Sequence, residues 1–184
     1  IPEFQLEYVV SDTIKVLEPE AKNVNETILI TELLKHYHYN KVDLDDSLSS
    51  AILDAYIESF DNSRLYFLAS DIESFEKYRY KIDDYLVEGE LSAPYQIFAV
   101  FKQRYYERLE HVDELLQGGF DFTIDETFKY DREDAQWATS TEDLNETWRK
   151  YVKNEMLSLK LADKTDEEAL ETLTKRYDRY RTMI

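Results

Sequence analysis

The sequence predicts an all-α fold, an irregular bundle of about six helices with one long ordered loop at about residues 120–140. Three observations carry this. Apolar residues recur at spacings of three and four through most of the chain, which is the period of one helical face. Capping and stopping residues bracket the runs. Only between Phe120 and Ser140 does the period vanish. No period of 20–50 residues recurs, so a helical solenoid is disfavoured.

The bundle is organised around residues 93–117. Phe98, Phe101, Tyr105, Leu109, Val112 and Leu116 fall on one face, with Pro94 near the start and Gly118-Gly119 as the stop. Lys102, Gln103, Glu107, Arg108, Glu110 and Glu114 lie largely between them and are expected in solvent. Such a helix is roughly 37 Å long and needs neighbours along its apolar side.

Taken in order, residues 1–15 read as an extended lead-in. Ile1-Pro2-Glu3-Phe4 can be a vector-derived scar, Tyr8-Val9-Val10 a short strand or an arm, and Pro19 argues against a continuous helix. Asn25 is the expected cap of a first helix to about Tyr39, with Ile30, Leu33, Leu34 and Tyr37 inward and Asn40 at its end. Asp45 or Asp46 caps a second helix carrying Leu48, Ile52, Ala55, Tyr56 and Phe60. Asp61-Asn62-Ser63 is a turn and Leu65-Tyr66-Phe67-Leu68 a short apolar plug. Ser70 or Asp71 caps a third helix with Ile72, Phe75, Arg79, Ile82 and Leu86 in phase, closed by Gly89.

After the central helix, Phe120, Phe122, Ile124 and Phe128 alternate with polar residues, as a short hairpin or an ordered loop would, with Trp137 pinning it by burial. A loop of this length inside a domain is uncommon and often functional. Ser140 or Thr141 opens a fifth helix facing Leu144, Trp148, Val152, Met156 and Leu159 inward. Thr165, with Glu168 three residues on, has the capping-box spacing for a last helix. Leu170, Leu173, Tyr177, Tyr180 and Ile184 keep helical phase to the end, which suggests that more protein follows.

Forty acids against 22 bases give a formal charge of −18 over 184 residues. That field repels phosphate backbones and anionic membranes, so nucleic acid is not an expected partner. No run of about 18 apolar residues exists to form a transmembrane segment. The absence of cysteine excludes disulfides, zinc–thiolate sites and thiol nucleophiles.

Candidate chemistry is sparse. His36 and His38 lie two apart and point to different faces of a helix, so they cannot chelate one ion, and His111 brings no supporting motif. Asp43-Leu44-Asp45-Asp46 fails as a calcium loop because Leu48 stands where glycine is needed. Ser74-Phe75-Glu76-Lys77 has the spacing of a serine–lysine pair, but Lys77 is expected on a wet face, where it could not serve as a base. With three glycines in all, phosphate-cradling patterns are absent. Asn25-Glu26-Thr27 and Asn145-Glu146-Thr147 match glycosylation acceptors but read more simply as helix starts or faces. The expectation is no catalytic residue, no cofactor and no metal.

Three segments carry a family resemblance. One is YNKVDLDDSLSSAILDAYIESFDNSRLYFLA at 39–69, followed by Ser70-Asp71-Ile72. Another is Phe120-Asp121-Phe122-Thr123, continuing through Tyr130-Asp131-Arg132 to Trp137. The third is Leu157-Ser158-Leu159-Lys160-Leu161, then Lys164-Thr165 and Leu173-Thr174-Lys175-Arg176-Tyr177. Their order and spacing, over roughly residues 16–184, resemble the N-terminal helical region of the tail-specific, or carboxy-terminal processing, proteases. The resemblance implies a single helical domain at 16–184, truncated before a PDZ domain and a serine peptidase domain with a Ser–Lys dyad. It implies a periplasmic protein that acts on protein substrates from apolar C-terminal tails. The helical region would form a wall of the bowl around the peptidase and, in some members, a docking surface for a lipoprotein adaptor. None of the family's catalytic residues maps onto this chain. The resemblance adds the expectation that the 120–137 loop, or the 65–68 plug, presents apolar residues to the neighbouring domains.

Two readings follow. One is a non-catalytic scaffold and docking domain of a processing protease. The alternative is a free-standing acidic helical interaction module, in which the 93–117 helix offers a groove to a partner helix.

Overall fold

A computed structural model of the chain describes residues 17–38 and 43–184. The expected scar, the Tyr8-Val9-Val10 strand or arm, Tyr39 and Asn40 lie outside the described residues. Seven α-helices are found among those described: α1 Ala21–Tyr37, α2 Asp46–Asp61, α3 Ala69–Phe75, α4 Ile82–Glu88, α5 Ser92–Gly118, α6 Thr141–Leu161 and α7 Asp166–Arg181. The fold is all-α, as predicted. The described residues fall into two compact units, one made of those up to Asn62 with Ser70–Gln103, the other of Ser63–Ala69 with Arg104–Ile184. Helix α5 contributes its first half to one and its second half to the other.

In the first unit, α1 begins at Ala21 rather than at Asn25. Glu20, just after Pro19, forms a capping box with Asn23, whose Oδ1 accepts from the Glu20 amide at 2.9 Å. The expected inward face of α1 is the wrong one. Thr31 is buried, whereas Ile30, Leu33, Leu34 and Tyr37 are exposed. The other side of the helix is held by α4: at Gly89, φ is +72° and an added Cβ would stand 2.9 Å from Ile28 and Val24. Helix α2 is capped by Asp45, whose carboxylate accepts from the Leu48 amide at 2.9 Å. Leu53 and Ile57 are its buried centre, while Ala55 is exposed and Leu48, Ile52, Tyr56 and Phe60 only flank that centre. Phe60 packs on Phe101 of α5 at 4.8 Å between centroids, and the Tyr56 hydroxyl donates to the Pro94 carbonyl at 3.1 Å.

The expected third helix is two. After α3 and a 3₁₀ turn at Glu76–Tyr78, the chain breaks before α4. Two serines of α2 cause the break. Ser49 Oγ accepts from the Ile82 amide at 2.8 Å, capping α4, and Ser50 Oγ accepts from Arg79 Nη1 at 2.7 Å. Arg79 also pairs with Asp54 at 3.0 Å, so it reaches across to α2 instead of laying its stem in a helix seam. Asp71 is buried within α3 and does not cap it.

In the second unit, α6 and α7 follow the sequence closely. Ser140 caps α6, accepting from the Asp143 amide at 3.1 Å, and Thr165 with Glu168 forms the capping box of α7. Leu109, Val112, Leu116, Leu144, Trp148, Val152, Met156, Leu173 and Tyr177 make one core, which Ala169 joins where Leu170 had been expected. Helix α7 ends at Arg181, with the Thr182 and Met183 amides donating back to Arg179 and Tyr180. Arg108, expected in solvent, is 3% exposed and donates to Asn145 Oδ1 of α6.

Candidate functional site

The residues with the spacing of catalytic or metal-binding groups have local partners of their own. Ser74 donates to the Asp71 carbonyl at 2.5 Å, and the Lys77 ammonium lies over the Tyr78 ring at 4.9 Å. His36 pairs with Glu32 at 3.3 Å on the exposed side of α1, while His111 meets the Asn145 carbonyl at 3.3 Å. No three His, Asp or Glu side chains converge on a point that could hold a metal ion among the described residues. Asn145, in the second glycosylation-like triplet, sits inside α6 with its side-chain oxygen taken by Arg108.

The best-built surface feature is the 120–138 segment, laid along α6. No hairpin forms there; its backbone is irregular, and among the described residues its one β-bridge is a parallel one between Leu68 and Ala138. The Ala69 amide donates to the Ala138 carbonyl at 2.8 Å, which fixes the downstream end. The upstream end opens with a local turn, where Asp121 Oδ1 accepts from both the amide and the hydroxyl of Thr123. These bonds hold the Asp121 carboxyl below its usual range.

Between the ends, side chains do the fastening. Glu126 is held by Arg149, whose Nη1 donates to Oε1 at 2.9 Å, and by the buried Lys153 ammonium. Hydrogen bonds from Arg149 first, then from Lys153, pull the Glu126 carboxyl down to about 2. Lys153 also donates to the Ile124 carbonyl at 3.4 Å. The Lys160 ammonium lies over Phe122 at 4.5 Å, a cation–π contact. Phe128 packs on Tyr151, and Asn154 donates to the Tyr130 hydroxyl. Arg132 Nε donates to the Ser63 carbonyl at 3.1 Å. Trp137 is half-buried, with the Arg64 guanidinium 4.3 Å above its ring and Phe67 at its edge.

Two consequences bear on docking. The 65–68 plug is not a free surface: Phe67 is fully buried, Leu68 belongs to the core, and the Leu65 carbonyl accepts from Trp148 Nε1 at 2.5 Å. Leu65 and Tyr66 are only partly buried. The 120–138 strap does expose Ile124 and Tyr130, and α6 exposes Leu157 and Leu161. The Glu126 clamp escaped the sequence reading, because its only trace is a pair of cations one helical turn apart, Arg149 and Lys153.

The chain belongs to the family described as the tail-specific protease N-terminal domain, whose family model matches residues 30–184. It is 39% identical over 149 residues to the tail-specific protease of Haemophilus influenzae, an alignment covering 80% of this chain and 21% of the relative. The chain thus spans about a fifth of the length of the curated relative it matches.

Proposed function

We propose that this chain is the non-catalytic scaffold and docking domain of a longer, periplasmic serine protease that cleaves proteins from apolar C-terminal tails. The observation that carries the reading is the family match over residues 30–184 in a chain that spans 21% of its relative. Bond breaking belongs, on this reading, to a Ser–Lys dyad in a peptidase domain that follows a PDZ domain. Here the one serine–lysine pair of suggestive spacing is spent elsewhere, Ser74 on a helix carbonyl and Lys77 on a tyrosine ring. The domain contributes orientation and access for protein substrates, and a surface for an adaptor lipoprotein. Its strong negative charge suits neither nucleic acid nor an anionic membrane, and no helix among the described residues is long and apolar enough to cross a membrane.

The exposed apolar residues of α1, Ile124 and Tyr130 also fit a free-standing interaction module. The length of the natural polypeptide separates the two readings. A PDZ-like segment and a peptidase domain with serine and lysine beyond residue 184 are expected. A natural chain ending there would contradict the protease reading.

A further inference from the structure

We propose that the outer face of α1 is buried, in the full-length protein, against the polypeptide beyond residue 184. The inference rests on the reading that this chain is one domain of a longer protease. Leu29, Ile30, Leu33, Leu34 and Tyr37 are exposed by 60%, 56%, 48%, 53% and 81%. At about 100° per residue they form one arc about 140° wide. The opposite side, with Thr31 buried and Val24 and Ile28 against Gly89, already faces the first unit. From Leu29 onward the outer arc of α1 is thus apolar, while Lys22 and Glu26, paired at 3.6 Å, share the arc nearer the start of the helix. Its arc is broader than the two-position seam of a coiled coil and fits a domain surface better than one helix.

Charge selects the occupant. Within Ala21–Tyr37 two lysines balance two glutamates, so the helix is formally neutral in a chain of −18. A strongly basic partner is not called for. A second copy would bring another −18 and the repulsion that goes with it. Covalently attached polypeptide needs neither, because its high effective concentration allows modest apolar contacts to close. About four-fifths of the relative's length lies outside the match, which leaves ample chain to cover the face.

The chain has no cysteine, so Leu33→Cys places one thiol on this face at a position outside the core. Its rate of reaction with a maleimide is read in the 184-residue chain and in the full-length protein, against the unsubstituted full-length protein as background. The expected result is a rate at least about tenfold lower in the full-length protein only, independent of concentration. Ile30→Cys repeats the measurement in case Leu33→Cys disturbs α1. Equal, fast labelling in both proteins overturns the proposal. So does protection in the 184-residue chain that grows with concentration, which assigns the face to a second copy, or protection lost when residues 1–16 are deleted, which assigns it to them. Fast labelling of a full-length protein that still cleaves an apolar-tailed peptide removes this contact and leaves the domain reading standing. A natural chain without a peptidase domain removes both.

Discussion

Arg149 Nη1 donates to Glu126 Oε1 at 2.9 Å, joining a loop residue to a helix residue 23 positions away. With Lys153 on the other side, Glu126 is the central fastening of the strap to α6. The Glu126→Ala variant should release the middle of the 120–138 segment while α6 and α7 stay folded. Limited proteolysis within the segment should then be at least about tenfold faster, with the helical circular dichroism unchanged. Unchanged proteolysis would show that the aromatic contacts hold the strap alone.

The same carboxylate sets an acid limit. Its folded value of about 2 lies below the ordinary 4.5, so its contribution is present above about pH 4.5 and is lost as pH falls towards 2. Strap proteolysis by an acid-active protease should rise across that window in the parent protein. It should rise less in Glu126→Gln, where position 126 cannot ionise and the Asp121 turn alone still loses its charge.

Buried tyrosines set an alkaline limit. Burial pushes the Tyr56 and Tyr151 hydroxyls up to about 12. Tyr177 is driven upward too, first by burial and then by Glu155, whose Oε2 accepts its proton at 2.5 Å. Each is raised above its unfolded value near 10, so the stability it lends is complete below about pH 10 and is lost as pH rises beyond it. Unfolding followed by circular dichroism and by tyrosinate absorbance should coincide above about pH 10.

Gly89 closes α4 in the left-handed region at φ +72°, with no room for a Cβ beside Ile28 and Val24. Gly89→Ala combines left-handed strain with a steric clash and should cost about 1–3 kcal/mol by urea denaturation. Gly119→Ala shares the positive φ, but open space surrounds it. Backbone strain alone should then cost about 1–2 kcal/mol.

Arg108 is buried among the helices of the second unit, with its Nε lacking a partner. Burial holds its guanidinium below the ordinary range. Replacing a poorly compensated buried cation by an apolar side chain of similar length is often neutral or stabilising. Arg108→Met should therefore leave stability unchanged or raise it by about 1 kcal/mol in urea denaturation. Arg108→Ala, which leaves a cavity, should lower it by about 1–3 kcal/mol.

What could be read from the sequence was local. Ser140, Thr165 with Glu168, and Asp45 cap their helices with bonds to residues three positions on, so the words of the sequence contain both partners. The heptad-like faces of α5 and α6 likewise showed through. What could not be read depended on distant residues. The break between α3 and α4 is made by Ser49 and Ser50, about 30 residues upstream. The side of α1 that packs is chosen by Gly89, and the burial of Arg108 by α6. The clamp on Glu126 was invisible because carboxylates are common in so acidic a chain. Family membership, by contrast, was legible in three short segments, since it depends on residue identity and order and not on tertiary contact.

The most direct measurement is turnover of a peptide ending in apolar residues, run side by side on the 184-residue chain and on the full-length protein. The account predicts cleavage by the full-length protein and none by the 184-residue chain, with Ser74→Ala leaving the full-length rate unchanged. Cleavage by the 184-residue chain that disappears on Ser74→Ala would contradict it.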